Sequence, residues 1–597
     1  MPVSRYHSSI LRFPVSHLAR LKAAKSRKEL AEILGYPPSS LTAIIYKTPT
    51  ASKYTTFTVD KKSGGQRIIS APIPKLKKLQ SHLSHVLYEC LDEIEKGRAA
   101  SPISFGFRAG RSIAENAAKH KRRRWVLNID LEDFFPSFNF GRVRGFFLKD
   151  QSFSLHPEVA TTIAQIACDG VALPQGSPCS PIISELISQI LDSRLLRLAK
   201  KYGVTYTRYA DDITFSTSKK EFPAGLATQD ATDPTLWNLS DELSGKITSS
   251  GFVVNNSKTR MQFRGSRQMV TGLVVNDKVN IRSDYYRRAR AMCDSLFETG
   301  KYFSSMVPPA KVGDDAVPNR TDNLNPLEGI LSHIYHITQA EERRDVQEQR
   351  QTPRAIRKLY RRFLFYKYFI ALKEPLIVTE GKTDPVYLRE AVRRLPQFHP
   401  ALGTPGAKGF KHVPRYFGYG GLVSELLDLG GGGTSNLKSI PLDYRRNLNP
   451  TKKEPKAFGF RPMSFPVILV LDNDDGLSPI AGTIKKTFNI QISQSSTEDF
   501  YHIIGNFYVV KTPEILATGN PPQSTYIEQF FPQKWRDYPL NGKKFSTKNE
   551  IDINREYSKE VFAKSVIKPN AAAIDFSGFI PLLKRIEKVM KHHAAQT

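Results

Sequence analysis

Cysteine is scarce: only Cys90, Cys168, Cys179 and Cys293 occur in 597 residues. No two of them form a CxxC pair, which argues against a zinc ribbon and against a disulfide framework, and fits a reducing cytosol. Long apolar runs are absent too. No stretch approaches the roughly 18 residues that would read as a membrane span, and Met1–Leu11 has no extended apolar core. Neither secretion nor a membrane partner is expected. Acidic residues are outnumbered, 57 against 87 Lys plus Arg, leaving a net charge of +30. Solubility alone seldom calls for such an excess. It points to a polyanion, with nucleic acid ahead of anionic lipid. The length implies two to four domains, with ample chain to bury their cores.

Ser26–Lys47 reads as two short helices around Gly35-Tyr36-Pro37-Pro38, either a packed cap or a nucleic-acid contact. Strands are expected at Val126–Ile129, Thr205–Tyr209 and Ile213–Phe215, and an amphipathic helix over Ser180–Ala199. Beyond Ile281 the chain becomes helical and arginine-rich, including Tyr285–Arg290 and Arg354–Lys367. A basic helix with interleaved aromatics suits a nucleic-acid backbone, though a solvated charged face is the plainer alternative. A new α/β pattern opens at Pro375–Val378. The glycine-rich stretch between Leu402 and Ser435 reads as a loop insertion.

Three segments carry chemistry. Asn128-Ile129-Asp130-Leu131-Glu132-Asp133-Phe134-Phe135 is an apolar strand ending in acids. Leu173-Pro174-Gln175-Gly176-Ser177-Pro178 is a stiff loop feeding a helix. Tyr209-Ala210-Asp211-Asp212 places two acids at a hairpin tip. Nucleotidyl transfer requires divalent cations to activate the attacking hydroxyl and stabilise the leaving pyrophosphate. Mg²⁺ prefers carboxylate oxygens, so Asp130, Asp211 and Asp212 suffice for a two-metal site; Glu132 and Asp133 read as bystanders.

The order of these motifs resembles that of reverse transcriptases. The resemblance implies an α+β right hand of fingers, palm and thumb, with dNTPs as substrates. It makes Phe135 the gate against a ribose 2′-OH, unless it is simply a core aromatic, and Gln175 and Gly176 part of the substrate-binding loop. Lys258, after Gly251-Phe252, would sit near the triphosphate. Lys61–Ile68 looks like a fingers hairpin with Arg67 on the triphosphate, a contact suited to a guanidinium. Two further strings, Asn116-Ala117-Ala118-Lys119-His120 and Val270-Thr271-Gly272, match the NAxxH and VTG motifs of retron reverse transcriptases. Each alone could be a helix face or a turn. Together they imply contacts to a structured RNA through Asn116, His120, Val270, Thr271 and Gly272. They also imply a branched RNA–DNA product and a bacterial cytoplasm.

Downstream, Pro375–Asp384 (PLIVTEGKTD) and Val467–Gly476 (VILVLDNDDG) are apolar strands ending in acids. That is the pattern of a parallel sheet with its site at the strand ends. Glu380, Asp472 and Asp474 form a second acidic cluster. It resembles a TOPRIM domain of the overcoming-lysogenization-defect nuclease branch, implying a separate Mg²⁺ site. Glu528 and Lys559 match that branch's later acid and lysine, although a surface lysine is the plainer reading of Lys559. The expected organisation is a helical segment 1–50, fingers and palm 51–280, a basic thumb and linker 281–368, and a mostly parallel TOPRIM domain 369–597. The reading is a retron reverse transcriptase fused to a nuclease effector in anti-phage defence. A mobile-element, intron-type enzyme is the alternative, although EGKTD and DNDDG speak against it. A TOPRIM fold that only binds nucleic acid or mediates assembly is another. Homo-oligomerisation stays open, as does the choice of DNA or RNA target.

Overall fold

The computed structural model describes residues 16–60, 65–96, 103–303, 320–407, 409–514, 524–548 and 550–596. The chain divides into two compact units, Met1–Arg282 and Ser283–Thr597. The basic segment after residue 281 therefore belongs with the C-terminal sheet rather than forming a unit of its own.

In the first unit, helix Arg27–Ile33 starts at a capping box made by Ser26 and Glu29 and buries Leu30, Ala31 and Ile33. Pro37-Pro38 then opens helix Pro38–Thr42. Strands β1 (Tyr54–Asp60) and β2 (Gln66–Pro72) form an antiparallel hairpin. Lys61, Lys62, Ser63 and Gly64 lie outside the described residues. Helix α1 (Pro74–Glu95) buries Leu76, Leu79, Leu83 and Leu87, a three-and-four spacing that keeps them on one face.

The centre is a four-stranded antiparallel sheet of β3 (Trp125–Glu132), β4 (Thr205–Tyr209), β5 (Asp212–Thr217) and β6 (Val253–Phe263), in the order β4-β5-β3-β6. Its apolar side chains Leu127, Ile129, Ile213 and Phe215 share a core with Ile183, Leu186 and Leu191. These lie on helix α2, which runs Ser180–Tyr202. Burying each such side chain stabilises the fold by about 1.5–3 kcal/mol. A short helix, Ile113–Ala118, packs on β4 and on the small hairpin β7 (Met269–Val270) and β8 (Leu273–Val274).

The second unit is built on a five-stranded sheet. Its strands are β9 (Leu376–Thr379), β10 (Arg415–Tyr416), β11 (Val467–Leu471), β12 (Tyr501–Ile504) and β13 (Phe507–Lys511), in the order β10-β9-β11-β13-β12. All neighbours are parallel except β12 with β13. β9 and β11 are entirely buried, as continuous apolar runs in a covered parallel sheet should be.

Two expectations need correction. Helix Ala355–Phe365, at the centre of the basic Arg354–Lys367 stretch, does not present a free cationic face. Ile356, Tyr360, Phe363 and Leu364 are core residues. Arg357 and Arg361 bind Asp428, Arg361 also binds Asp443, and Arg362 binds Asn447. The glycine-rich region is likewise more than an inserted loop. It contains β10 and helix Gly421–Leu426, and its Gly433 N–H donates to the Glu380 carbonyl at 2.9 Å.

Candidate active sites

In the first unit, antiparallel register does the gathering. Asp130 on β3 lies opposite Asp212 on β5. Tyr209 pairs with Asp212, leaving Ala210-Asp211 as a two-residue turn. Ala210 adopts φ +55° there. The Leu131 N–H donates to the Asp211 carbonyl at 3.1 Å, tying the tip to the end of β3. Asp130 also faces Asn255 on β6. That places Lys258 Nζ 3.0 Å from the Asp130 carboxylate.

The electrostatics reflect this crowding. Desolvation, then repulsion from Asp211 and Asp130, pushes the Asp212 carboxyl up to about 7. Asp211 is raised too, by burial and then by Asp130. Among the described residues, no three metal-ligating side chains are already closed around a metal position. The donor set is nonetheless hard carboxylate oxygen, and its mutual repulsion is relieved by positive charge, which Lys258 supplies at Asp130. These residues fit Mg²⁺.

Around the acids, Phe135 is half-buried and tilts against Phe107 with ring centroids 6.0 Å apart. Its neighbour Phe134 is the buried core aromatic, stacked on Phe252 at 5.8 Å. Arg67 is exposed on β2, opposite Val59. The Gln175 carbonyl accepts from the Ser70 N–H at 2.8 Å, so the Pro174–Pro178 loop rests on the fingers hairpin. Gly176 makes that approach possible. At φ +125°, a Cβ there would lie 2.7 Å from the Ser70 carbonyl oxygen. Gly176→Ala is expected to cost about 1–3 kcal/mol of stability through local strain and to shift the Pro174–Pro178 loop against β2, weakening the binding of any substrate held there. Unchanged steady-state kinetics would remove the loop from the substrate site.

Asn116 and His120 need correction as direct RNA contacts. Both are buried. The Thr207 hydroxyl donates to Asn116 Oδ1 at 2.6 Å. The two His120 ring nitrogens lie 2.7 Å from the Ser216 and Thr207 hydroxyls. Burial holds the imidazole neutral, its pKa pushed down to about 3. Val270 is buried as well, while Thr271 and Gly272 form the turn between β7 and β8. The two motifs meet, and the Thr271 hydroxyl points to the Ile113 carbonyl at 3.4 Å.

Sequence reasoning missed the support beneath the Tyr209–Asp212 turn. Arg208 is fully buried between Asp192, at 2.7 Å, and Glu185, at 2.9 Å. Its Nη1 also donates to the Ala210 carbonyl at 3.2 Å, and the Tyr206 hydroxyl donates to Asp192 at 2.7 Å. The signal was available. Tyr206 and Arg208 share one face of a strand, and Glu185 and Asp192 lie two turns apart on one helix face.

In the second unit, Thr379 on β9 pairs with Val470 on β11. The strands therefore end side by side, and Glu380 and Asp472 emerge as neighbours. The Asp472 N–H donates to Glu380 Oε2 at 3.3 Å, and Asp472 Oδ1 accepts from the Ile527 N–H at 3.0 Å. That second bond brings Glu528 close, with Lys559 Nζ 3.2 Å from its carboxylate. Asp474 accepts from the Gly476 N–H at 2.8 Å. Asp384, the last residue of EGKTD and unassigned by its sequence pattern, is buried and accepts from the Gly381 N–H at 2.8 Å. Burial, then Asp474 and Asp384, raises Glu380 to about 7. Burial, then Asp384, Glu528 and Glu380, raises Asp472 strongly. Five carboxylates thus share one neighbourhood with Lys559, again a hard-oxygen set whose repulsion a divalent cation would relieve.

Comparison with known proteins bears on the first unit. The family model "Reverse transcriptase (RNA-dependent DNA polymerase)" matches residues 59–280. The retron Mx65 reverse transcriptase of Myxococcus xanthus is 37% identical over 258 residues, covering 40% of this chain and 55% of that protein. The retron Ec86 reverse transcriptase of Escherichia coli is 36% identical over 248 residues, covering 41% of this chain and 70% of that protein. The chain spans about half the length of the two Myxococcus relatives it matches. Among solved structures, apo telomerase from Candida tropicalis aligns over 52% of this chain and 62% of that one, with a TM-score of 0.30 and 12% identity. No helix among the described residues is long and apolar enough to cross a membrane.

Proposed function

Because this chain belongs to the retron reverse transcriptases, we propose that it copies its own structured RNA into a branched RNA–DNA hybrid. Nucleotidyl transfer is carried by the pairing of Asp130 with Asp212 across the palm sheet, with Asp211 at the adjoining turn, and the branched hybrid by the likeness to retron reverse transcriptases. When bound there, Mg²⁺ ions would lower the barrier to hydroxyl attack and to pyrophosphate departure. The chain's own residues do the positioning. Asp130, Asp211 and Asp212 hold the cations. Lys258 neutralises charge beside Asp130, Arg67 binds the incoming triphosphate, and Phe135 excludes a 2′-OH by volume. The exposed Gly272 and half-buried Thr271 offer the RNA contact, with Asn116, His120 and Val270 supporting that hairpin from within.

The second site is read as a TOPRIM-type nuclease. Glu380, Asp472 and Asp474 would hold Mg²⁺, Glu528 and Asp384 complete the acidic set, and Lys559 stabilises charge on the scissile phosphate. The nucleic-acid hybrid would restrain this effector until phage infection disturbs it. In a second reading the unit only binds nucleic acid. Unchanged cellular toxicity in Asp472→Ala would select it.

The first experiment extracts nucleic acid from protein purified from cells carrying its native locus, then treats it with RNase, DNase or a debranching enzyme. A discrete DNA joined to RNA by a debranchable link is expected, and absent from Asp211→Ala/Asp212→Ala. RNA alone, or heterogeneous DNA, would remove the retron product and the restrained effector built on it.

A further inference from the structure

Asp428 is held by three arginines. Arg350 Nε lies 3.1 Å away and Arg357 Nη2 3.3 Å away, while Arg361 binds its other oxygen. The same arginines take neighbouring backbone. Arg357 donates to the Glu425 carbonyl at 3.3 Å and Arg361 to the Leu427 carbonyl at 3.2 Å. Arg361 is itself braced by Asp443 at 2.8 Å. Asp428 adopts φ +56°, a left-handed conformation that side-chain-bearing residues disfavour. The clasp thus reinforces a helix-ending bend that the backbone also closes, the Asp428 N–H donating to the Glu425 carbonyl at 3.1 Å and the Leu429 N–H to the Ser424 carbonyl at 2.9 Å.

Beyond that bend the chain reaches the second acidic site. Leu429 leads into Gly430–Gly433. The Ser424 hydroxyl donates to the Gly430 carbonyl at 2.6 Å, closing the loop on its own helix. The Gly433 N–H donates to the Glu380 carbonyl at 2.9 Å. Gly432 lies so close that a Cβ there would sit 2.5 Å from that same oxygen. From the other end of the loop, the Tyr419 hydroxyl donates to the Thr379 carbonyl. The backbone that presents the Glu380 carboxylate is therefore packed directly against the backbone that Asp428 anchors.

We propose that the arginine clasp on Asp428, acting through the glycine loop, positions Glu380 and so sets the competence of the second site. Asp428 is a positioning residue and touches no reacting atom. The clasping arginines lie on residues 350–361, within the same compact unit as the β9–β13 sheet. Whatever moves that stretch also bears on Glu380. The idea rests on reading Glu380, Asp472 and Asp474 as a metal-dependent nuclease site.

The test uses the full chain as wild type, Asp428→Asn, Gly432→Ala and Asp472→Ala. Asparagine keeps the shape of aspartate and tolerates the left-handed backbone, so Asp428→Asn removes the charge and turns one of the two acceptor oxygens into a donor facing a guanidinium. Mg²⁺ is titrated against cleavage of single-stranded DNA, duplex DNA and single-stranded RNA oligonucleotides. Hydrogen exchange is followed at the Gly433 amide, and DNA synthesis serves as the control. Losing charge-assisted bonds to Asp428 should accelerate Gly433 exchange and raise the half-maximal Mg²⁺ concentration, each by about tenfold or more. Gly432→Ala should act in the same direction. Amides of β9 and β11 should stay protected and DNA synthesis should be unchanged. Unaltered Gly433 exchange and unaltered Mg²⁺ dependence in Asp428→Asn overturn the proposal. If wild type cleaves none of the probes and Asp472→Ala binds Mg²⁺ as wild type does, the nuclease reading fails by itself. Gly433 exchange then decides the clasp: acceleration supports its hold on Glu380 and no change refutes it.

Discussion

Asp212→Asn should lower DNA synthesis on the order of 10³-fold while leaving the protein at least as stable as wild type. The loss reflects the several kcal/mol that metal-held charge contributes to such a transition state, each 1.4 kcal/mol being about tenfold in rate. The retained stability reflects the cost of crowding. Asp212 is pushed up to about 7 by desolvation and by its neighbours Asp211 and Asp130, which disfavour its charge. Neutralising it relieves repulsion, and because the side chain opens to solvent at the start of β5, screening keeps that gain modest. Primer extension on an RNA template and thermal unfolding without Mg²⁺ measure the two halves. A variant that loses activity by unfolding, or that keeps more than a tenth of it, would show that Asp212 does not hold the catalytic cation.

Arg208→Met should destabilise the first unit by about 3–5 kcal/mol, the range for breaking a buried ion pair by removing one partner. Arg208 is fully buried, and removing it strands Asp192 and the fully buried Glu185. Arg108, 2.9 Å from Glu185, still compensates one carboxylate, so Asp192 bears most of the loss. Arg208→Lys retains charge but not the fork that reaches Asp192, Glu185 and the Ala210 carbonyl together. It should recover part of the stability and little of the activity, because the carbonyl it releases belongs to the turn carrying Asp211. Urea unfolding of the two variants, set beside their kcat, checks both statements. A cost below about 1 kcal/mol for Arg208→Met would mean that the network relaxes around the gap.

The features legible in the sequence were those that chemistry forces onto it. Acids beside apolar strands carry a strong signal, so Asp130, Asp211, Asp212, Glu380 and Asp472 stood out, and the strands were placed to within about three residues, the first running on through Asp130 to Glu132 rather than ending before it. Direction was not legible. The spacing of Asn116 and His120 gives a shared helix face but not where that face looks. Polar residues ordinarily look outward, and here they can turn inward only because hydroxyls 87 and 96 residues further along the chain receive His120. The arginines of helix Ala355–Phe365 misled for the same reason. Their partners Asp428 and Asp443 lie some 70 to 80 positions downstream, and no local pattern announces them. Asp384 sat in full view within EGKTD but resembled a helix-opening acid, a common and usually structural feature.

The Asp130–Asp212 pairing ties two properties into a single discrete variable. Side chains alternate along a strand, so sliding β5 by one residue against β3 would turn Asp212 away from Asp130. It would also swing Ile213 and Phe215 out of the core. A two-residue slip would keep each side chain on its own face, yet carry Asp212 about 7 Å along the strand from Asp130 and take Ile213 and Phe215 out of their packing positions. Errors of assembly in this palm are therefore quantised: the offset between β3 and β5 changes in whole residues, and each wrong step costs the acid pairing and the core packing together. A preparation of partial specific activity should be a mixture of in-register and slipped molecules rather than a uniform set of slower enzymes.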